Sequence, residues 1–537
     1  MDILELLKQD ARLTAKELAV MTGKSVEEVE KVIKQYEQDK IIAGYSAVIN
    51  WEKARDNIVV AFIEIKVTPE RDRGFEEIAK RIYSYKQVKT CYLMSGAFDI
   101  AAIVEGTDLK DVALFVTQKL SAISGVTATS THFVLKKYKE NDLVFEDNTV
   151  KKPGEFIREE VKNTPPSGIR KYFDMLHGMS DVISLGVGEP DFVTPWQIRE
   201  SAIYALEKGR THYTSNTGIL ELRETICAML DRKYNLKYNP LNQIIITVGA
   251  SEAIDIAIRS IVGVGDEVII PEPCFVAYKG CVNFAGAKAI PLQLSEENCF
   301  KLTVSQLEEC ITEKTKILIL AYPNNPTGAV MTKEELKPIA DYLSSKDIIV
   351  ISDEIYADLT YGMEHASFAA FDNMHDKVIY VNGFSKSFSM TGWRLGYVCA
   401  HKDIISQMLK IHQYAIMCAP SFVQYAAIDA LKQCEEDVMK MRQEYDTRRR
   451  YLYQGLLNIG IDCFEPEGAF YVFPNIKKTK LTSEQFCDRL LMEQKVLVVP
   501  GTAFSSAGEG YFRATYASSL ENIKEALKRM ERFLKNK

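Results

Sequence analysis

The sequence predicts a chain of three folded regions, the largest of them an α/β domain built on a mostly parallel sheet. From about residue 166 onward, helical patterns alternate with short β-branched apolar runs: NQIIITVG, DEVIIP, TKILILAYP, DIIVISD and VIYVNGFS. Runs of this kind read as strands buried on both faces, with helices between them as crossovers. Residues 56–140 read strand, helix, strand, strand, helix, strand, which is the βαββαβ order of ferredoxin-like α+β folds. Residues 1–55 read as helices alone.

In the first region Ile3, Leu6 and Leu7 sit at helical spacing, and AKELAVMTG predicts a second helix that stops at Gly23. Ser25 with Glu28 three residues on is a capping box. The helix it opens carries Val26, Val29, Val32, Ile33 and Tyr36 on one side. Helix, Gly turn, helix suggests a helix-turn-helix unit. In the second region the strands are NIVVAFIEIKV, VKTCYLMS, FDIAAIVEG and VTATSTHFVLKKY, and the helices FEEIAKRIYSY and LKDVALFVTQKL. Ser95, Gly96 and Ala97 are expected to form the turn of the central hairpin. Residues 141–165 are polar, charged and aperiodic, and read as a linker. The α/β domain then spans 166–537.

Composition narrows the function classes. A chain of 537 residues suggests two to four domains. At 47% hydrophobic and 26% charged it has the make-up of a soluble globular protein. The net charge of −7 offers no global basic field to nucleic acid. Eleven cysteines without a C-x-x-C pair argue against a disulfide framework or a zinc site, and for a reducing cytoplasm. The start MDILELLKQD lacks the basic flank and apolar core of a signal peptide. No apolar run is long enough to cross a bilayer.

The chemistry gathers where strands end. Gly383-Phe384-Ser385-Lys386-Ser387-Phe388-Ser389-Met390-Thr391-Gly392-Trp393-Arg394-Leu395-Gly396 follows VIYVN. A lysine just past a strand end in a Gly/Ser-rich loop can form an imine with an aldehyde cofactor. Arg394 can return to clamp a phosphate, helped by the hydroxyls of Ser385 and Ser387. Asp353, in SDEIY directly after DIIVI, stands where α/β sheets bind ligands; the other reading of SDEIY is a helix N-cap with acidic first-turn residues. Tyr322-Pro323-Asn324-Asn325-Pro326-Thr327-Gly328 is locally a turn. Small residues at Gly249-Ala250-Ser251 open a helix after QIIIT and expose amides suited to phosphate.

The unbroken Gly383–Gly396 segment resembles the lysine-attachment motif of class I/II aminotransferases, the fold type I, aspartate aminotransferase superfamily. The other motifs follow in that family's order over roughly 165–537. The resemblance implies a small C-terminal domain beside the sheet and pyridoxal 5′-phosphate held by Lys386. It further implies that Asp353 pairs with the pyridine nitrogen, which makes the ring an electron sink, while Tyr356 and Asn325 reach its phenolic oxygen. Ala250, Ser251, Ser385 and Arg394 then surround the phosphate, and Phe275 of PEPCFVAY stacks on the ring. Gly188, in GVGEPDF, and Asn325 line the substrate carboxylate site, and Arg513 of YFRATYASS grips the α-carboxylate. Tyr213 of THYTSNTG reaches the phosphate of a neighbouring subunit, so a homodimer or higher homo-oligomer is expected.

The implied function is transfer of an amino group between an L-amino acid and a 2-oxo acid. Members favouring aspartate often carry a lysine where this chain has Ser251, which points toward aromatic or neutral donors. A lyase reaction on the same residues stays open.

Helix-turn-helix followed by βαββαβ resembles the Lrp/AsnC family of amino-acid-responsive regulators, with YLMSGAFDIAAIVEGTD similar to its ligand-sensing domain. The resemblance implies a small amino-acid effector at this domain. The would-be recognition helix, the one that Ser25 opens, departs from a DNA reader, carrying Glu27, Glu28, Glu30 and Glu37 against Lys31 and Lys34. Residues 1–56 hold 9 basic and 11 acidic side chains. DNA contact relies on basic groups at phosphates, so DNA binding stays open but is disfavoured. The same holds for the alternative of a transcription regulator that uses the cofactor domain as its sensor.

Overall fold

The computed structural model describes residues 2–54, 58–68, 74–145, 153–166, 168–175 and 179–535. The chain divides into two units, Met1–Phe156 and Ile157–Lys537. The expected boundary at 55/56 and residues 146–152 of the expected linker lie outside the described residues. In the described part of that linker, Leu143–Val144 pairs back onto Lys139–Glu140, just before the linker, and Glu159–Lys162 forms a one-turn helix.

The first unit begins with α1 (Ile3–Gln9), α2 (Ala15–Thr22) and α3 (Val26–Gln38). Gly23 ends α2 in the left-handed region, φ +69°, where a glycine carries no Cβ penalty. Ser25 and Glu28 form the reciprocal capping box at the start of α3, and Thr14 with Glu17 forms a second one at α2. Ile3, Leu6, Leu7, Leu18, Ala19 and Val29 close a small core. Next come β1 (Val59–Val67), α4 (Gly74–Tyr83), β2 (Val88–Leu93), β3 (Ile100–Gly106), α5 (Leu109–Phe115) and β4 (Val126–Phe133). The sheet order is β2-β3-β1-β4, antiparallel throughout. Alternate residues of β1 (Ala61, Ile63, Ile65 and Val67) face the helices and pack with Ile78, Ile82, Val112 and Phe115. The period of two puts them on one face.

The second unit is built on seven strands: β5 (Ile244–Thr247), β6 (Glu267–Glu272), β7 (Lys288–Gln293), β8 (Thr315–Ala321), β9 (Ile349–Asp353), β10 (Val378–Gly383) and β11 (Gly396–Cys399). Their order is β7-β6-β8-β9-β10-β11-β5. All neighbours are parallel except β11, which runs antiparallel to both β10 and β5. β7 and β11 are not among the runs singled out in the sequence. β7 (KAIPLQ) is a half-exposed edge strand containing Pro291, and β11 (GYVC) is four residues long. Neither length nor hydrophobicity marks them.

The strand side chains sort by parity into two cores. Ile246, Ile269, Leu318, Leu320, Val350 and Tyr380 belong to one. Ile245, Val268, Ile270, Ile317, Ile319, Ile351 and Val381 belong to the other. This is why the runs are continuously apolar: each successive side chain meets a helical layer. A smaller sheet of β12 (Tyr471–Val472), β13 (Val499–Pro500) and β14 (Phe512–Thr515), ordered β12-β14-β13, lies near the C-terminus of the unit. Among the described residues, no helix is long and apolar enough to cross a membrane.

Candidate active site

Because β5, β6, β8, β9 and β10 point the same way, their carboxyl ends share one edge, the place where open α/β sheets bind ligands. A cavity of about 270 Å³ opens there. Its wall includes Gly188, Ala250, Ser251, Phe275, Asn325, Asp353, Tyr356, Ser385, Lys386, Arg394 and Arg513. The fold thus brings together residues up to several hundred positions apart in sequence. Two expected residues stand elsewhere. Ser387 is buried (3% exposed) but is not part of the cavity wall. Tyr213 is 83% exposed on the surface of its own chain and does not line the cavity.

Lys386 follows β10 by three residues, and its Nζ donates to the Gly188 carbonyl at 2.8 Å. Burial pulls its amine down to about 8 from the ordinary 10.5, with Glu189 opposing and Arg513 and Arg394 reinforcing the shift. Asp353 ends β9. Its carboxylate accepts from the Tyr278 hydroxyl at 2.6 Å and from the Ile355 N–H at 3.2 Å. Burial pushes its pKa up, and those two donors oppose the rise. The chain after Asp353 makes a turn rather than a helix, so SDEIY is no N-cap.

The hydroxyls of Tyr356 and Tyr471 share a hydrogen bond of 2.9 Å. Arg513, on β14, is 2% exposed. It donates from Nη1 to Asn325 Oδ1 at 2.9 Å and from Nη2 to the Gly186 carbonyl at 2.7 Å. Its guanidinium stacks with Tyr471 and Phe504, 4.4 and 4.7 Å from the ring centres. Burial lowers its pKa. At the other end of the cavity α6 (Ala250–Ile261) begins after Gly249, whose φ is +80°. A Cβ on Gly249 would lie 2.8 Å from Arg394 Nη2, so only glycine lets the turn and the guanidinium approach so closely.

The donor set fits pyridoxal phosphate. Asp353 is a buried acid whose charge would be relieved by a cation such as a protonated ring nitrogen. The start of α6 with Arg394 beside it suits a phosphate. Arg513 keeps a buried Nε without a hydrogen-bond partner, beside a fork that suits a carboxylate. Among the described residues, no cluster of His, Cys, Asp or Glu could hold a metal ion.

The sequence reading missed Tyr278, Tyr471, Thr391 and Ile169, which also line the cavity. Tyr278 carried a local signal, being three residues after Phe275 at the start of a helix, Ala277–Phe284. Tyr471, in EGAFYVFP, looks like any core aromatic and gives none.

The sheet order, the lysine past β10 and the acid at the end of β9 are those of a fold type I pyridoxal phosphate enzyme. The chain belongs to the family "Aminotransferase class I and II", which matches residues 180–530. "Lrp/AsnC ligand binding domain" matches 60–144 and "Winged helix-turn-helix DNA-binding" matches 1–43. The chain is 51% identical to the putative aminotransferase YugH of Bacillus subtilis, over 71% of this chain and 98% of that protein. It is 48% identical to the aspartate aminotransferase of Pyrococcus abyssi, over 69% of this chain and 96% of that protein. The crystal structure of the aromatic aminotransferase from Pyrococcus horikoshii matches with a TM-score of 0.66 at 46% identity, covering 68% of this chain and 99% of that one. These relatives favour a transaminase over the regulator and lyase alternatives.

Proposed function

We propose that this transaminase takes neutral or aromatic L-amino acids as donors and that its N-terminal unit senses an amino acid. The observation that carries the donor class is the charge of the cavity. Its basic wall residues are Lys386, Arg394 and Arg513, and each has a task in the shared chemistry. A second substrate carboxylate would find no cation of its own among the described wall residues, and buried charges need partners. The remaining wall is apolar or aromatic at Ile169, Ile254, Phe275, Ile355 and Tyr471. One relative is named an aspartate aminotransferase and another structure an aromatic aminotransferase, so the family accommodates both.

The residues divide the work as follows. Arg513, oriented by Asn325 and the Gly186 carbonyl, grips the α-carboxylate and fixes the substrate's Cα near Lys386. Bound pyridoxal phosphate supplies an aldehyde carbon and a ring that withdraws electrons from Cα. Asp353, backed by Tyr278, holds a proton at the ring nitrogen. Ala250, Ser251, Ser385 and Arg394 hold the phosphate, and Phe275 flanks the ring. Lys386, with its lowered pKa, is neutral often enough near pH 8 to take the proton from the substrate's Cα onto Nζ, from which it would be delivered to the carbon that the cofactor supplies. Tyr356, tied to Tyr471, places its hydroxyl at the ring oxygen.

Tyr213, exposed on its own chain, is suited to reach the phosphate of a second subunit in a homodimer. The test is the absorbance of the full-length protein with pyridoxal phosphate as single amino acids are added without an acceptor. A band between about 360 and 430 nm, characteristic of a lysine-bound cofactor, should shift toward about 330 nm with phenylalanine, tyrosine or leucine. A shift with aspartate alone would overturn the donor class. For the N-terminal unit, an amino acid that changes kcat at saturating donor, and does so less after substitutions around Gly96, would support sensing.

A further inference from the structure

Beneath the turn that opens α6 lies a buried pair that the chemistry above does not use. His412 is fully buried on α7 (Lys402–Ala415). Its Nδ1 donates to Glu252 Oε1 at 2.6 Å. The other oxygen, Oε2, accepts the backbone N–H of Val248 at 2.5 Å. Glu252 is the third residue of α6, and Val248 precedes the Gly249 cap, so this contact clamps the chain just where it enters the helix. Thr247 Oγ1 closes the same turn by donating to the Gly249 carbonyl at 3.0 Å. β11 packs closely against the same turn: a Cβ on Gly396 would lie 2.5 Å from the Ala250 nitrogen.

This arrangement sets a problem that His412 resolves. A carboxylate in the first turn of a helix is stabilised by the helix N-terminus, but it competes for the same field with any anion bound there. Glu252 is next to Ser251 and yet is absent from the cavity wall, which takes in Ala250, Ser251 and Ile254. Both of its oxygens are occupied, one by His412 and one by Val248. We propose that His412 is a positioning residue for the phosphate site: it holds the Glu252 carboxylate away from the cavity and, through it, fixes the Gly249–Ser251 amides facing the phosphate. The inference rests on the reading of the cavity as a pyridoxal phosphate site.

The test compares two ligands that differ only in the phosphate. Full-length protein freed of cofactor is titrated with pyridoxal phosphate and, separately, with pyridoxal, by absorbance. His412→Leu removes the donor and releases the carboxylate. It should weaken pyridoxal phosphate about tenfold or more while changing pyridoxal less than about twofold. His412→Asn, whose amide can donate from near the Nδ1 position, should restore most of the loss. Glu252→Gln in the His412→Leu background removes the free anion and should restore part of it. Equal weakening of both ligands, or no weakening of either, would overturn the positioning role. Should His412→Leu fail to fold, His412→Ala, which removes the same donor, takes its place with the same expected loss for pyridoxal phosphate alone and the same overturning results. If the unmodified protein shows no preference for pyridoxal phosphate over pyridoxal, the cofactor reading itself fails, and the inference with it.

Discussion

The Tyr278 hydroxyl donates to Asp353 at 2.6 Å inside a pocket where burial pushes the Asp353 pKa up. The phenol aims the carboxylate and, together with the Ile355 N–H, opposes that rise. Hydrogen bonds to a charged group contribute about 1.5–3 kcal/mol. Tyr278→Phe should lower kcat about ten- to a hundredfold while KM for the amino donor changes little, because the lost contact acts on the ring rather than on the substrate. Steady-state kinetics with one donor checks this, and a pure KM effect would contradict it.

Lys386 predicts a pH dependence. Burial lowers its pKa to about 8, and a lysine with a lowered pKa is neutral above that value and charged below it. In the cofactor-free protein, its reaction with an added aldehyde should rise through about pH 8 and be lost as the pH falls, instead of rising near the ordinary 10.5. The sign for folding follows from the same shift. Between about 8 and 10.5 the unfolded chain binds the proton more tightly, so the stability of the cofactor-free fold increases with pH in that window. Lys386→Ala should abolish the lysine-bound absorbance band and lower activity by about 10⁴-fold.

Arg513 is held by Asn325 and Gly186 and stacked on Tyr471 and Phe504. A lysine retains the charge but neither the fork nor the stacking. Arg513→Lys should raise KM for the amino donor by about tenfold to a hundredfold. The 2-oxo acid acceptor should suffer equally, since both present the same carboxylate.

A methyl group at position 188 would fall 2.6 Å from the Tyr471 hydroxyl, and the Gly188 carbonyl accepts from Lys386. Gly188→Ala should lower kcat/KM by at least about tenfold, with a shift in thermal midpoint of only a few degrees, on the scale of about 1 kcal/mol. Thermal unfolding measured beside activity separates the two effects.

The α3 surface gives a charge-based prediction. Glu28 is used in the capping box, while Glu27 and Glu30 are exposed beside Lys31 and Lys34. The full chain should bind duplex DNA negligibly at physiological salt, and Glu27→Lys with Glu30→Lys should create salt-dependent binding. Strong binding by the unchanged protein in a gel-shift titration would reverse this.

Much of the site was legible because its chemistry sits in contiguous loops at strand ends. Lys386 to Arg394, Asp353 to Tyr356 and Gly249 to Ser251 each follow an apolar run that announces its own strand. The strands missed, β7 and β11, are an exposed edge and a four-residue segment, where local signal is weakest. The residues missed, Tyr278 and Tyr471, are aromatic side chains whose local pattern is that of ordinary core.

The sequence by itself determined which groups the protein carries and the order of its elements, since hydrophobic period, caps and motif residues are local properties. It also determined that the exposed side of α3 carries Glu27, Glu28, Glu30 and Glu37 against Lys31 and Lys34. Only the tertiary structure decided which groups meet. Nothing local says that Tyr278 turns its hydroxyl to Asp353, that Tyr471 bonds to Tyr356, or that His412 reaches Glu252 from another helix. Those contacts join residues 75, 115 and 160 positions apart. They exist because the parallel sheet brings its strand ends to one edge and the helical layers close around it, a long-range packing outcome that no window of sequence encodes.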